Sequence, residues 1–139
     1  MKKNIILIVL SLVLSLGSVS MAYSTAVIGG IRNGTALGLM LENNTGYSPA
    51  LRMGIEADTS SDFPAIAFIG GKWLLTDINN QYPMSISGGL VGYLGSSAAL
   101  GPYVSLVFDR FLAISPLFLE IGIDVLSSGR MQVQLGYFF

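Results

Sequence analysis

Glu120 and Asp124 stand in the stretch LFLEIGIDVL, where strict alternation puts both carboxylates on one face. Paired carboxylates on one face are the raw material of general acid–base chemistry. Four strand residues, however, separate them by about 13 Å, too far to share a proton or to chelate an ion, so structural carboxylates are the expectation. The chain contains no histidine and no cysteine. That excludes Ser-His and Cys-His nucleophile arrangements, most transition-metal sites and any disulfide framework. No catalytic residue, cofactor site or metal ligand is expected, and the chain does not read as an enzyme.

Candidate members of an internal polar network in the periodic segments are Glu42, Arg52, Glu56, Lys72, Glu120, Asp124, Arg130, Gln132 and Gln134, with Asp58 beside them and Arg32 near a turn. Charges of both signs sharing faces with glycine and glutamine suit an internal salt-bridge network, because buried charges persist only when paired and hydrogen-bonded. A selective pore would favour one sign, so a narrow ion path through this network is the secondary reading. Trp73, the sole tryptophan, reads as an interfacial anchor. Asn33-Gly34-Thr35 and Asn43-Asn44-Thr45 fit the glycosylation pattern, for which turn chemistry is a sufficient explanation.

The elements that must position these residues begin after a leader. Lys2 and Lys3, the apolar run Ile5 to Leu16 broken only by two serines, and Ser20-Met21-Ala22 have the layout of a secretory signal peptide. The run is shorter than the roughly 20 residues a spanning helix needs. Residues 1–22 are therefore read as a signal peptide and 23–139 as a single domain. Charged residues make up 11% of the chain, against about 25% in a typical soluble domain. No basic patch is present to meet phosphates, so nucleic acid is not an expected partner.

Prolines at 49, 64, 83, 102 and 116 each precede or open an alternating segment, as proline does at the first residue of a strand. Before them lie STAVIGGI and TALGLMLEN, parted by Arg32-Asn33-Gly34; after the last come Ser127-Ser128-Gly129 and the closing segment. Both short connections read as three-residue hairpins with glycine in the left-handed position, pairing Ile31 with Thr35 and Leu126 with Arg130. The sum is eight strands of roughly 8–11 residues and a closed, antiparallel, up-and-down, all-β barrel.

Each segment then splits into two faces. Leu51, Met53, Ile55 and Ala57 oppose Arg52, Gly54, Glu56 and Asp58; Leu117, Leu119, Ile121, Ile123 and Val125 oppose Phe118, Glu120, Gly122 and Asp124. Segments 65–75 and 103–111 are ambiguous: Phe68 is in register with Lys72, and Asp109 and Arg110 fall on opposite faces. Alternation alone does not say which face is inside. A soluble periplasmic barrel of the lipocalin kind, binding a small apolar ligand, turns the aliphatic face inward; a membrane barrel turns it outward. The polar face carries too few charges to keep a particle of this size dissolved. Glycines 38, 54, 122 and 136 beside long side chains suit a cramped interior. The aliphatic faces, with aromatics toward their ends, suit lipid.

The closing segment RMQVQLGYFF places Met131, Val133, Leu135, Tyr137 and Phe139 on one face, with an aromatic residue last. With the leader and the alternating strands, this resembles the closing strand of bacterial outer-membrane barrels, closest to small eight-stranded proteins of the OmpX and OmpA-transmembrane-domain types. The resemblance implies that these five residues form the signal read by the barrel-assembly machinery and that outer-membrane lipid surrounds the barrel. It also implies a non-catalytic protein of the cell outer membrane, structural or surface-contacting and expected as a monomer. Histidine-dependent outer-membrane enzymes do not carry over. With both termini periplasmic, the tight hairpins at 32–34 and 127–129 would face outward, where the relatives have long loops.

Overall fold

The computed structural model describes residues 23–32, 34–43, 49–59, 65–95 and 98–139; the signal-peptide reading of residues 1–22 lies outside them. Each alternating segment forms a strand: β1 (Tyr23–Arg32), β2 (Thr35–Asn43), β3 (Ala50–Asp58), β4 (Ala65–Ile78), β5 (Tyr82–Leu94), β6 (Ala99–Asp109), β7 (Leu117–Val125) and β8 (Gly129–Phe138). Consecutive strands pair antiparallel and β1 pairs with β8, so the sheet closes into an eight-stranded up-and-down barrel with no free long edge. One short 3₁₀ turn, Phe111–Ala113, sits between β6 and β7.

Register settles the faces. Ala26, Ile28, Met40, Ile66, Val91, Val107, Arg52, Glu120, Gln132 and Gln134 are buried inside, whereas Leu37, Leu39, Ile55, Ile69, Val104, Ile121, Ile123, Met131 and Leu135 are exposed on the exterior. The barrel is polar within and aliphatic without. A lipocalin-like barrel would need the odd residues of β7 and β8 to line a cavity, and they point away from it.

Four expectations are corrected. The β7–β8 register pairs Val125 with Gly129 and Asp124 with Arg130, so the connection is residues 126–128 and Leu126 does not face Arg130. Gly129 is a strand residue without positive φ, which removes the reason for the displaced register. Pro102 does not open its strand: β6 begins at Ala99, and Pro102 stands one residue outside the β6–β7 ladder, which starts at Tyr103. At such an edge a missing N–H is tolerated. Among the described residues, the aromatic residues of the exterior face, Trp73, Tyr82, Phe108, Tyr137 and Phe139, lie at the terminal end of the barrel; at the opposite end the described exterior residues include the aliphatics Ile31, Leu100 and Met131.

The fourth correction concerns strand length. TDINNQYP is no loop but the tip of a hairpin, because β4 and β5 run on to an Ile78–Tyr82 pair and reach 14 and 13 residues. The register shifts between Leu74 and Thr76, a bulge at Leu75, and the bulge inverts the alternation beyond it. Asn79 and Asn80 both adopt left-handed φ (53° and 56°), and the Gln81 N–H donates to the Ile78 carbonyl at 3.1 Å. Asparagine tolerates the positive φ that tight hairpin turns demand. On its β3 side, β4 is paired only as far as Lys72, and β5 meets β6 only from Met84 onward, so Asp77–Ile78 and Tyr82–Pro83 project as the two-stranded tip of a β4–β5 ribbon at the terminal end.

Candidate functional site

The glycines of the polar face make room for the interior side chains. A Cβ at Gly54 would stand 2.6 Å from Phe68 Cζ, and one at Gly136 would overlap the Phe118 ring. Phe68 thus shares the interior with Lys72, resolving the 65–75 ambiguity, by lying against a strand that has no side chain there. Its ring meets Tyr103 edge-on at 6.0 Å, and Phe118 packs on Phe138 at 5.2 Å.

Two polar clusters fill the lumen. At the hairpin end, Arg32 makes a bidentate pair with Asp124 (Nε–Oδ2 2.8 Å, Nη2–Oδ1 2.9 Å) and donates from Nη1 to Glu56 Oε1 at 3.0 Å. Tyr93 Oη donates to the same Asp124 carboxylate. Gln132 Nε2 donates to Gln134 Oε1 at 2.8 Å, and Gln134 Nε2 to Glu56 Oε2 at 2.8 Å. The Arg32 guanidinium lies 5.0 Å from the Phe68 ring centre and 5.5 Å from that of Tyr103. Arg130 covers Tyr93 at 5.0 Å. Strands β1, β3, β5, β7 and β8 meet at this knot.

Nearer the terminal end, Arg52 Nη2 donates to Glu120 Oε2 at 2.9 Å, and Ser105 Oγ donates to Glu120 Oε1 at 2.5 Å. Arg52 Nε stands 3.1 Å from Glu42 Oε2, an ion pair whose angle falls short of a hydrogen bond. Lys72 Nζ reaches Glu42 Oε1 at 2.6 Å and Asp109 Oδ2 at 3.3 Å. Asp109 therefore belongs to the interior, while Arg110 is exposed in the turn. Strands β2, β3, β4, β6 and β7 are tied here.

Glu120 and Asp124 fall into different clusters, each held by its own arginine. Glu42, Arg52, Glu56, Lys72, Glu120, Asp124, Arg130, Gln132 and Gln134 all lie on the interior face. Arg32, read as a turn residue, is fully buried and centres the hairpin-end cluster. Tyr93, Ser105 and Asp109 are further members that alternation did not single out. Parity held the signal for Arg32, which shares its face with Ala26, Ile28 and Gly30 and pairs with Gln132.

Of the closing-strand residues, Met131, Leu135 and Tyr137 are exposed on the exterior and Val133 shares their face. Phe139 follows β8, with its N–H donating to the Thr25 carbonyl at 3.0 Å.

Chemically, the lumen presents neutralised charges rather than a reactive pair: each cluster offers carboxylates already held by guanidinium, ammonium, amide or hydroxyl donors. Among the described residues no group of His, Cys, Asp and Glu is placed to hold a metal. Fold and site together define an eight-stranded antiparallel barrel with an ion-paired interior and an aliphatic exterior. No protein-family model matches the chain, and neither the curated proteins nor the solved structures hold a significant match.

Proposed function

We propose that the chain is a non-catalytic integral protein of the bacterial outer membrane, of the small eight-stranded OmpX and OmpA-domain kind, acting as a structural or surface-contact module. The observation that carries this reading is the inversion of faces: long aliphatic side chains cover the exterior while guanidinium and carboxylate groups fill the core. In water that exterior is an exposed apolar surface far beyond what a monomer carries; in lipid it is the required solvent-facing surface. Outer-membrane lipid is then the standing partner, the barrel-assembly machinery the transient one, and the working state a monomer. Export by the leader and recognition of Met131, Val133, Leu135, Tyr137 and Phe139 belong to the same reading.

Migration on a detergent gel tests it. The protein is expected in the detergent-extracted membrane fraction, running compactly when unheated and shifting after boiling. A soluble protein that runs identically both ways would overturn the reading. Paired charges of mixed sign favour a closed lumen over an ion path, so planar bilayers containing the wild type should show no discrete conductance steps. Steps altered by Arg52 or Glu56 substitution would establish the channel instead.

A further inference from the structure

The exterior carries an apolar concavity. It opens at the terminal end between the projecting β4–β5 ribbon and the β6–β7 turn, with a volume of about 480 Å³, and its walls include Ile78, Tyr82, Phe108, Phe111, Leu112 and Leu119. That volume falls within the roughly 300–1,000 Å³ of small-molecule sites. Asp109 reaches its rim, but its carboxylate faces Lys72.

The turn beside the groove is costly in two respects. Its residues Phe111-Leu112-Ala113-Ile114 are all apolar, and Leu112 is 71% exposed. Arg110, Leu112 and Ala113 hold left-handed φ of 57°, 55° and 62°, which non-glycine residues rarely adopt. Hydrogen bonds from the Ala113 N–H to the Arg110 carbonyl (2.9 Å) and from the Ile114 N–H to the Phe111 carbonyl (3.1 Å) keep the turn folded in this form. Strain concentrated at such a site is a pointer to function. The second pointer is charge. Arg110 is exposed, whereas the other cations among the described residues, Arg32, Arg52, Lys72 and Arg130, all belong to the interior face.

We infer that this groove holds one acyl chain of an anionic phospholipid, whose phosphate is met by Arg110. The inference rests on the membrane reading above. The groove is apolar and opens on the aliphatic face, so its occupant is a hydrocarbon chain. Arg110, the one exterior cation among the described residues, stands in the turn between the lining residues Asp109 and Phe111, at the level of Tyr82 and the other exterior aromatics, the depth at which aromatic rings mark the headgroups. A phosphate there gains a charge-assisted contact that a zwitterionic headgroup, carrying its own ammonium, satisfies less well.

Trp73, the only tryptophan, is exposed on the exterior of β4, the strand whose tip forms one wall, and reports on bound lipid. The full mature barrel is reconstituted in phosphatidylcholine vesicles containing a minor fraction of acyl-brominated phosphatidylglycerol or of acyl-brominated phosphatidylcholine, and quenching of Trp73 is titrated. Brominated phosphatidylglycerol should quench at about fivefold lower mole fraction, the order one arginine contributes at an anionic headgroup. The preference should vanish in Arg110→Asn, which tolerates left-handed φ, and persist in Arg110→Lys. In the wild type it should also fade at high salt, a check that needs no variant to fold. Equal quenching by the two lipids, or a preference unchanged in Arg110→Asn, overturns the site while leaving the barrel in lipid. No quenching by either lipid overturns the membrane reading and this site with it.

Discussion

Arg32→Met is expected to cost about 3–5 kcal/mol of folding stability, the loss associated with breaking a buried ion pair on one side. Arg32 is fully buried, donates two hydrogen bonds to Asp124 and reaches Glu56 with a third. Methionine fills similar volume but removes two hydrogen bonds from Asp124 and one from Glu56, while the Tyr93 hydroxyl still donates to Asp124 and the Gln134 amide to Glu56. Two carboxylates would stay behind without the guanidinium that bridges them. Arg32→Lys keeps the charge and loses the fork geometry, so its loss should be smaller, about 1.5–3 kcal/mol, the worth of a hydrogen bond to a charged group. The triple variant Arg32→Met/Glu56→Gln/Asp124→Asn should recover most of the single-variant loss, since removing a whole buried charge set is often nearly neutral. Urea unfolding of the refolded barrel, followed by Trp73 fluorescence and by the unheated gel form, measures all three. A single-variant loss below about 1 kcal/mol would place Arg32 among exposed pairs of little worth and contradict the cluster as described.

The uneven legibility of this cluster has a physical cause. Alternation reports which face a residue occupies, and for Arg52, Glu56, Glu120, Gln132 and Gln134 that was sufficient. It reports nothing about depth. Whether Arg32 in β1 meets Asp124 in β7 depends on the stagger of strands around a closed barrel, a property of the whole sheet that no single segment encodes. Arg32 ended its segment beside Asn33-Gly34 and so read as a turn residue, although its parity already placed it with Ala26 and Ile28. The 65–75 segment is ambiguous in the sequence because Phe68 is in register with Lys72, so either facing buries something awkward. The deciding fact was the gap at Gly54 on the neighbouring strand, which accepts the Phe68 ring. The ribbon was hidden for another reason: the bulge at Leu75 reverses the phase, so Thr76 to Ile78 no longer continue the earlier pattern. Asn79-Asn80 is legible as turn chemistry, but the run TDINNQYP around it reads as a longer loop. At the closing hairpin, glycine drew the turn toward itself, whereas the ladder ends with Val125 opposite Gly129 and leaves Leu126-Ser127-Ser128 to cross.

Leu39→Arg should destabilise the barrel in lipid vesicles by about 2–4 kcal/mol, whereas Thr35→Arg should cost no more than about 1 kcal/mol. Leu39 is 44% exposed, lies midway along β2, and is flanked on the exterior by Val27 and Ile55. Thr35 lies on the same face of the same strand, at its hairpin end. Both substitutions put the same side chain on the barrel wall without touching the interior, so propensity and packing largely cancel between them. What differs is depth: an arginine at the hydrocarbon midplane must drag water or headgroups to itself, and one at the rim is already among them. If the exterior faced water, both substitutions would be ordinary surface changes within about 0.5 kcal/mol of neutral, and neither would outrank the other. The comparison therefore reads the solvent of the barrel directly from its stability. The same pair measured by urea unfolding in vesicles of shorter and longer acyl chains sharpens it further, because a thinner hydrocarbon layer brings Leu39 closer to both interfaces and should shrink the gap between the two costs. A gap that persists unchanged with bilayer thickness, or that is absent altogether, would remove lipid from the exterior of this protein.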